Sequence, residues 1–175
     1  MYKISLDNGL KANIWINEEP IISNCYYGKL LAEEKTKLFA NSKKLIVELF
    51  IPRAHNNYAL LGIDFLANET GKVTIEFSLN NPNNTKYNDA IALSFDTVFW
   101  GIVDEFEEGI ILSLNKHLRS QSLPSGIINY NISAYAEVGS SADMLKKISD
   151  ILLSLLLCDD INEYRLLEII RENIN

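Results

Sequence analysis

The chain has 175 residues, 47% of them hydrophobic and 22% charged, which suits a single folded domain with its own core and argues against disorder. Its formal charge of −7 and isoelectric point near 4.9 work against a surface built to neutralise phosphates, so nucleic acid is not expected as a partner. The densest basic group, Lys35, Lys37, Lys43 and Lys44, is diluted by Glu33 and Glu34 and reads as a solvated face.

Tyr2 to Leu6 and Leu10 to Ile16 flank Asp7-Asn8-Gly9, a turn sequence that tolerates positive φ, and together read as an N-terminal β-hairpin. Pro20 breaks the run that follows. Lys29 to Ala40 is expected as a helix with Leu30, Leu31, Leu38 and Phe39 inward. Leu45 to Ile51 is a buried strand stopped by Pro52, and Ala59 to Leu66 is a second. Val73, Ile75, Phe77 and Leu79 alternate with polar residues to give a third. Asn68 to Gly71 is a turn, so the second and third strands are expected to be antiparallel neighbours. Asn80 to Asn88, rich in Asn with Pro82 inside, is a loop.

From Thr97 to Leu118 the period becomes helical, with Phe99, Ile102, Val103, Phe106, Ile110 and Leu114 on one stripe and Asp104, Glu105 and Glu108 mostly opposite. From Gly126 to Val138, Ile128, Tyr130, Ile132, Ala134, Ala136 and Val138 alternate with Asn129, Asn131, Ser133, Tyr135 and Glu137. That is a strand with one buried and one wetter face, and it places Ile132, like Ile75, in the core. Ser140 with Asp143 marks the start of a helix over 141–157 that buries Met144, Leu145, Ile148, Ile151, Leu152 and Leu155. Asp160 with Glu163 opens a terminal helix burying Leu166, Leu167 and Ile170.

The expected fold is α+β: one domain over residues 1–175, a mainly antiparallel sheet with helices on one face. It divides into an N-terminal hairpin and extension (1–44), a β-β-β-α-β-α core (45–157) and a C-terminal helix (158–175). Met1 to Leu6 lacks the apolar core of a signal peptide, and Ile151 to Cys158, interrupted by Ser154, is far short of a membrane span. Cys25 and Cys158 have no CxxC or Cys/His cluster around them and read as reduced structural thiols in a cytoplasmic protein. Cys158, after Leu155-Leu156-Leu157, is expected to be buried.

The core order resembles domain four of the elongation factor G type of translational GTPase, a fold shared with the second domain of a small-subunit ribosomal protein. Glu105 to Leu114 is similar to that family's first helix, where a glycine follows an acidic residue. Leu123 to Ile132, with Pro124 and Gly126, is similar to the lead into its fourth strand, and Gly139-Ser140-Ser141 to its Asp-Ser-Ser before the last helix. The resemblance implies a fold. It does not imply ribosomal translocation, because the G domain, the GxxxxGK[ST] loop and a basic tip are missing, and Arg53 to Asn57 replaces the family's glycine-rich segment.

His55 and His117 are the only histidines. His117 reads as a helix C-terminal residue complementing the dipole, and its neighbours Lys116 and Arg119 disfavour a bound cation. His55, with Arg53, Asn56 and Asn57, forms a polar loop that needs a converging carboxylate before it can do acid–base work. Asp104, Glu105, Glu107 and Glu108 match no metal signature and read as a solvated helix face or an acidic partner-binding face. Asp159-Asp160 reads as a helix cap. Trp15, sharing its side of the strand with Lys11 and Asn13, is expected to point outward, and Trp100, Tyr26 and Tyr27 are further interface aromatics.

The sequence therefore points to a non-enzymatic protein-binding module without cofactor or metal, of the immunity or antitoxin kind that masks a basic partner. Asp104, Glu105, Glu108 and Trp15 are its candidate contacts. A translation-related or ribosome-associated module and a small cofactor-free hydrolase using the His55 loop are the alternatives.

Overall fold

Alternating apolar residues build one sheet that runs through the chain, and three amphipathic helices cover one of its faces. The computed structural model describes residues 1–6, 8–18, 29–53, 55–79 and 85–174; Pro20, Cys25, Tyr26, Tyr27 and Pro82 lie outside them. The strands are β1 (Tyr2–Ser5), β2 (Lys11–Ile16), β3 (Lys29–Lys35), β4 (Lys43–Phe50), β5 (Tyr58–Ala67), β6 (Lys72–Phe77), β7 (Val98–Trp100) and β8 (Gly126–Ala136). The helices are α1 (Asp104–Arg119), between β7 and β8, then α2 (Ala142–Leu156) and α3 (Glu163–Ile174). Sheet order is β1-β2-β4-β5-β8-β6-β3, with β7 on the end of β8. All pairings are antiparallel except β6 with β8. The α+β class and the opening hairpin are as expected.

Residues 29–35 form a strand, not a helix. Its backbone pairs with β6 from Lys29↔Phe77 to Lys35↔Lys72, which leaves Leu30 and Phe39 more than 60% exposed, while Leu31 packs on the core. The apolar spacing that suggested a helix is thus not an inward stripe. β5 and β6 run antiparallel but are not neighbours, because β8 lies between them, with Gly126 opposite both Ala67 and Val73. The 68–71 turn wraps around Ser125, whose hydroxyl donates to Asn68 Oδ1 at 2.9 Å and accepts from the Gly71 N–H at 3.1 Å. A four-residue turn spans two strand spacings, about 10 Å, as readily as one.

The segment expected to begin the first helix is β7 instead. Gly101, at φ 105°, stops a helix from extending back through it. Val98 and Trp100 pack on one side of the sheet, and Phe99 faces the other. Further along, Gly109 permits close approach of α1 and α2, since a Cβ there would lie 1.9 Å from the Ala142 carbonyl oxygen.

β8 departs most from the expected pattern. Its register with β5 shifts between Gly62 and Ile63, so Asn131 is an extra residue. Such a bulge moves every later side chain to the opposite face. Ile128 and Tyr130 therefore join the main core, whereas Ile132, Ala134 and Ala136 join a second cluster on the other face, and Val138 is exposed. The main core lies between the sheet and α2, which is buried nearly all round. The second cluster is Ile46, Tyr58, Leu60, Val98 and the three later β8 residues, covered by Tyr87, Ala90, Ile91, Ala92 and Trp100. Residues 85–97, leading into β7, thus form a strap over that face.

Helix starts lie slightly beyond the expected caps. Ser141 caps α2 by accepting from Met144 N–H at 3.2 Å. Ser140 accepts from Ala136 N–H at 2.8 Å and donates to the Tyr58 carbonyl at 2.7 Å, joining β5 to the β8–α2 turn. Asn162 rather than Asp160 caps α3, accepting from Arg165 N–H at 3.0 Å, and Leu167 is only half-buried. Cys158 is likewise half-buried beyond α2, within 3.5 Å of the Arg165 guanidinium.

Candidate functional site

Chemistry-bearing side chains gather in three places, and the first is the start of α1. Val103 provides no side-chain cap there, and Asp104, Glu105 and Glu107 occupy the first turn, where carboxylates complement the helix dipole and the free N–H groups. Asp104, Glu105 and Glu108 are exposed. Phe106 turns the other way and meets Tyr135 edge-on, with ring centroids 5.9 Å apart. Tyr135 also lies 5.9 Å from Phe99, its register partner across β7 and β8. All three rings are half-buried. Burial, with a smaller part from the Glu137 carboxylate, raises the Tyr135 hydroxyl pKa. The result is a half-exposed aromatic cluster that Phe106 joins to the acidic turn and Glu137 flanks.

Trp15 does not join this surface. It packs on the opposite face of the sheet, half-buried against the cluster around Ile46 and Tyr58. It does share its side of β2 with Lys11 and Asn13, but that side meets the second cluster through Trp15 and the buried Glu48 through Asn13. Trp100 points to the same face and lies 4.5 Å from the ring of Tyr87. The structure therefore brings Asp104, Glu105 and Glu108 together and leaves Trp15 apart from them. The aromatics beside the acidic turn are Phe99, Phe106 and Tyr135, which sequence reasoning passed over. The signal was present in Tyr135, the one ring on the wetter side of the last strand, and in Gly101, which separates Phe99 from the helix.

The second place lies between α1 and α2. Asp150, almost fully buried, accepts from Ser113 Oγ at 2.8 Å and lies 3.2 Å from His117 Nε2 through its Oδ1. Its Oδ2 pairs with Lys146 at 3.2 Å and with Lys116 at 3.4 Å. Burial pushes its pKa up, but the hydrogen bonds from His117, Ser113 and Lys146 and the charge of Lys116 together outweigh this and hold it well below the usual carboxylate range. The other imidazole nitrogen, Nδ1, lies 2.9 Å from Ser122 Oγ. A serine, a histidine and an aspartate thus stand in line. Ser122 Oγ, however, also donates to the His117 carbonyl at 3.2 Å and accepts from Ser120 Oγ at 2.9 Å. These bonds tie the C-terminus of α1 to the connector that follows it. Below them Tyr130 Oη and Ser149 Oγ share a hydrogen bond of 2.8 Å.

The third place is under the strap. Glu48, with no exposed surface, accepts from Asn13 Nδ2 at 2.7 Å and from Tyr58 Oη and Ile91 N–H at 3.0 Å each. Burial raises its pKa against the pull of these three donors, and the negative charge of Asp89 adds to the rise. The Ile91 bond makes Glu48 an anchor for the strap. Asp96 makes another, accepting from Val138 N–H at 3.1 Å and Gly139 N–H at 2.7 Å. Among the described residues the His55 loop shows no comparable convergence: His55 is exposed, and Asn57, buried behind it, donates to the Arg53 carbonyl at 3.0 Å.

Among the described residues no three His, Cys, Asp or Glu side chains group as metal ligands, and no helix is long and apolar enough to cross a membrane. Comparison with known proteins found no matching family model, no matching curated protein and no matching solved structure.

Proposed function

We propose that the chain is a non-catalytic protein-binding module that captures a basic partner, as an immunity or antitoxin-like protein masks a basic toxin domain. The observation that carries this reading is the start of α1, where an exposed acidic turn bears Phe106, whose ring meets Tyr135 and, through it, Phe99. Aromatic anchors within a charged rim are the usual anatomy of a protein interface. The net charge of −7 favours encounter with a positive surface and disfavours RNA. A translation-related module is the second reading, resting on the resemblance of residues 45–157 to a ribosome-associated fold. The hydrolase reading is weaker, since His55 stands exposed and His117 is bonded to Asp150 and Ser122.

The test is affinity capture from the native host, followed by binding kinetics of the double variant Glu105→Gln/Glu108→Gln against the recovered protein. A basic partner whose association slows several-fold, with a flatter salt dependence, is expected. An acidic partner, or unchanged association, contradicts the reading.

A further inference from the structure

The ring cluster beside the acidic turn has a chemistry of its own. Tyr135 sits at its centre, tilted 34° to Phe99 and 65° to Phe106, so the cluster is an angled aromatic wall and not a flat apolar patch. None of the three rings is fully buried. α2 packs on β4 and β5, and α1 brings Phe106 to Tyr135 at the β7–β8 end. The Glu137 carboxylate acts on the Tyr135 hydroxyl from the end of β8, and Glu105 precedes Phe106 in the acidic first turn of α1. The nearest described cation by register is Lys86, which bridges to Phe99.

An aromatic face attracts cations through its quadrupole, and nearby carboxylates add to that field. Between the two cationic side chains, arginine suits such a place better. Its planar guanidinium stacks on a ring while its N–H groups fork to carboxylates, whereas the ammonium of lysine is a compact, strongly hydrated point charge.

Resting on the proposed capture of a basic partner, we infer that Phe99, Phe106 and Tyr135 form the anchoring subsite of that interface, and that its occupant is an arginine side chain from a basic protein segment, held over the Tyr135 ring and paired with Glu105 or Glu137.

Hexa-arginine and hexa-lysine peptides carry equal charge, so calorimetric titration of each separates ring recognition from general attraction. The wild-type chain is expected to bind hexa-arginine roughly three- to tenfold more tightly, as a stacked and paired guanidinium allows. Tyr135→Leu, which keeps apolar bulk and removes the π-face, should abolish that preference while leaving the hexa-lysine affinity in place. Tyr135→Phe should retain it, which guards against a loss caused by misfolding. Glu105→Gln/Glu108→Gln should weaken both peptides through the lost charge, and narrow the arginine preference where Glu105 supplies the guanidinium's partner. Equal wild-type affinity for the two peptides overturns the arginine subsite, as does a preference that survives Tyr135→Leu. If the glutamine variant weakens both peptides and Tyr135→Leu changes neither, the acidic surface stands and the subsite falls. If Tyr135→Leu removes the preference and the glutamine variant changes nothing, the subsite stands and the acidic turn is not the rim. Absence of binding by either peptide at about 1 mM, the edge of measurable affinity, overturns both.

Discussion

The two faces of the sheet are closed by different means. On one, α2, with ten buried positions, packs on β4 and β5 and between α1 and α3, and its polar contacts include Asp150 with α1, Ser149 with Tyr130 and the Leu156 carbonyl with Lys43. On the other, a strap without helix covers a small apolar cluster, and it is held by a buried carboxylate, Glu48, and by Asp96 at the β8–α2 turn. A helix satisfies its own backbone and needs only an apolar stripe to seal a sheet. A strap brings unpaired N–H groups and needs acceptors built into the sheet to receive them. That requirement explains a glutamate in the middle of an apolar strand.

The sharpest way to break this contrast is to remove matched side chains from the two faces. Ile75, completely buried on the helix face, should cost about 3–4 kcal/mol as Ile75→Ala, and Ile132, in the smaller cluster under the strap, about 2 kcal/mol as Ile132→Ala. Urea melts measure both. Equal losses would mean that the strap face is packed as deeply as the other.

Glu48→Ala should follow closely, at about 2–3 kcal/mol, because it strands the donors of Tyr58, Asn13 and Ile91 beneath the strap. An ion-independent loss under half a kcal/mol would show that the strap does not depend on this anchor. The two buried carboxylates should also respond oppositely to pH. Glu48 has its folded pKa raised above 4.5, so the folded state holds its proton more tightly, and stability from this group increases as pH falls from neutrality toward about 4.5. Asp150 has its folded pKa lowered from 3.8, so its contribution is present above that value and is lost as pH falls below it. Stability profiles of Glu48→Gln and Asp150→Asn should therefore differ from wild type with opposite slopes. Parallel profiles would contradict the assignment.

Trp15→Ala should cost about 1–2 kcal/mol of stability through lost packing on the strap cluster, with no change in the binding of basic peptides. A binding defect without a stability loss would return Trp15 to the interface. The smallest effect belongs to Glu105→Gln/Glu108→Gln, whose melting should move by less than about 0.5 kcal/mol, as exposed helix charges do.

Much of this fold was legible in the sequence because periodicity reports burial. The hairpin, β4, β5, β6, β8, α2 and α3 all announce themselves by apolar alternation or stripe. What periodicity does not report is which face or which neighbour does the burying. Ile128 to Ala136 reads as one unbroken alternation, yet the extra residue at Asn131 sends its two halves to opposite faces, both of them buried. The 68–71 turn likewise looks the same whether or not a strand enters between its arms. The acidic turn was legible as local charge, but its companions were not. Phe99 joins Tyr135 only through the β7–β8 register, and Trp15, outward by parity, packs on a second apolar cluster built from β4, β5, β7 and β8.

The central claim is that the two faces divide the work: the strap face closes the fold, and the β7–β8 end of the helix face meets the partner. Backbone amide chemical shifts of the intact chain, followed during titration with hexa-arginine, test it directly. Shifts concentrated at residues 99, 104–108 and 135–137, with 13–15, 46–48 and 89–92 unmoved, are the result expected. Shifts concentrated at Trp15, Glu48 and the strap, with the α1 turn unmoved, would contradict it.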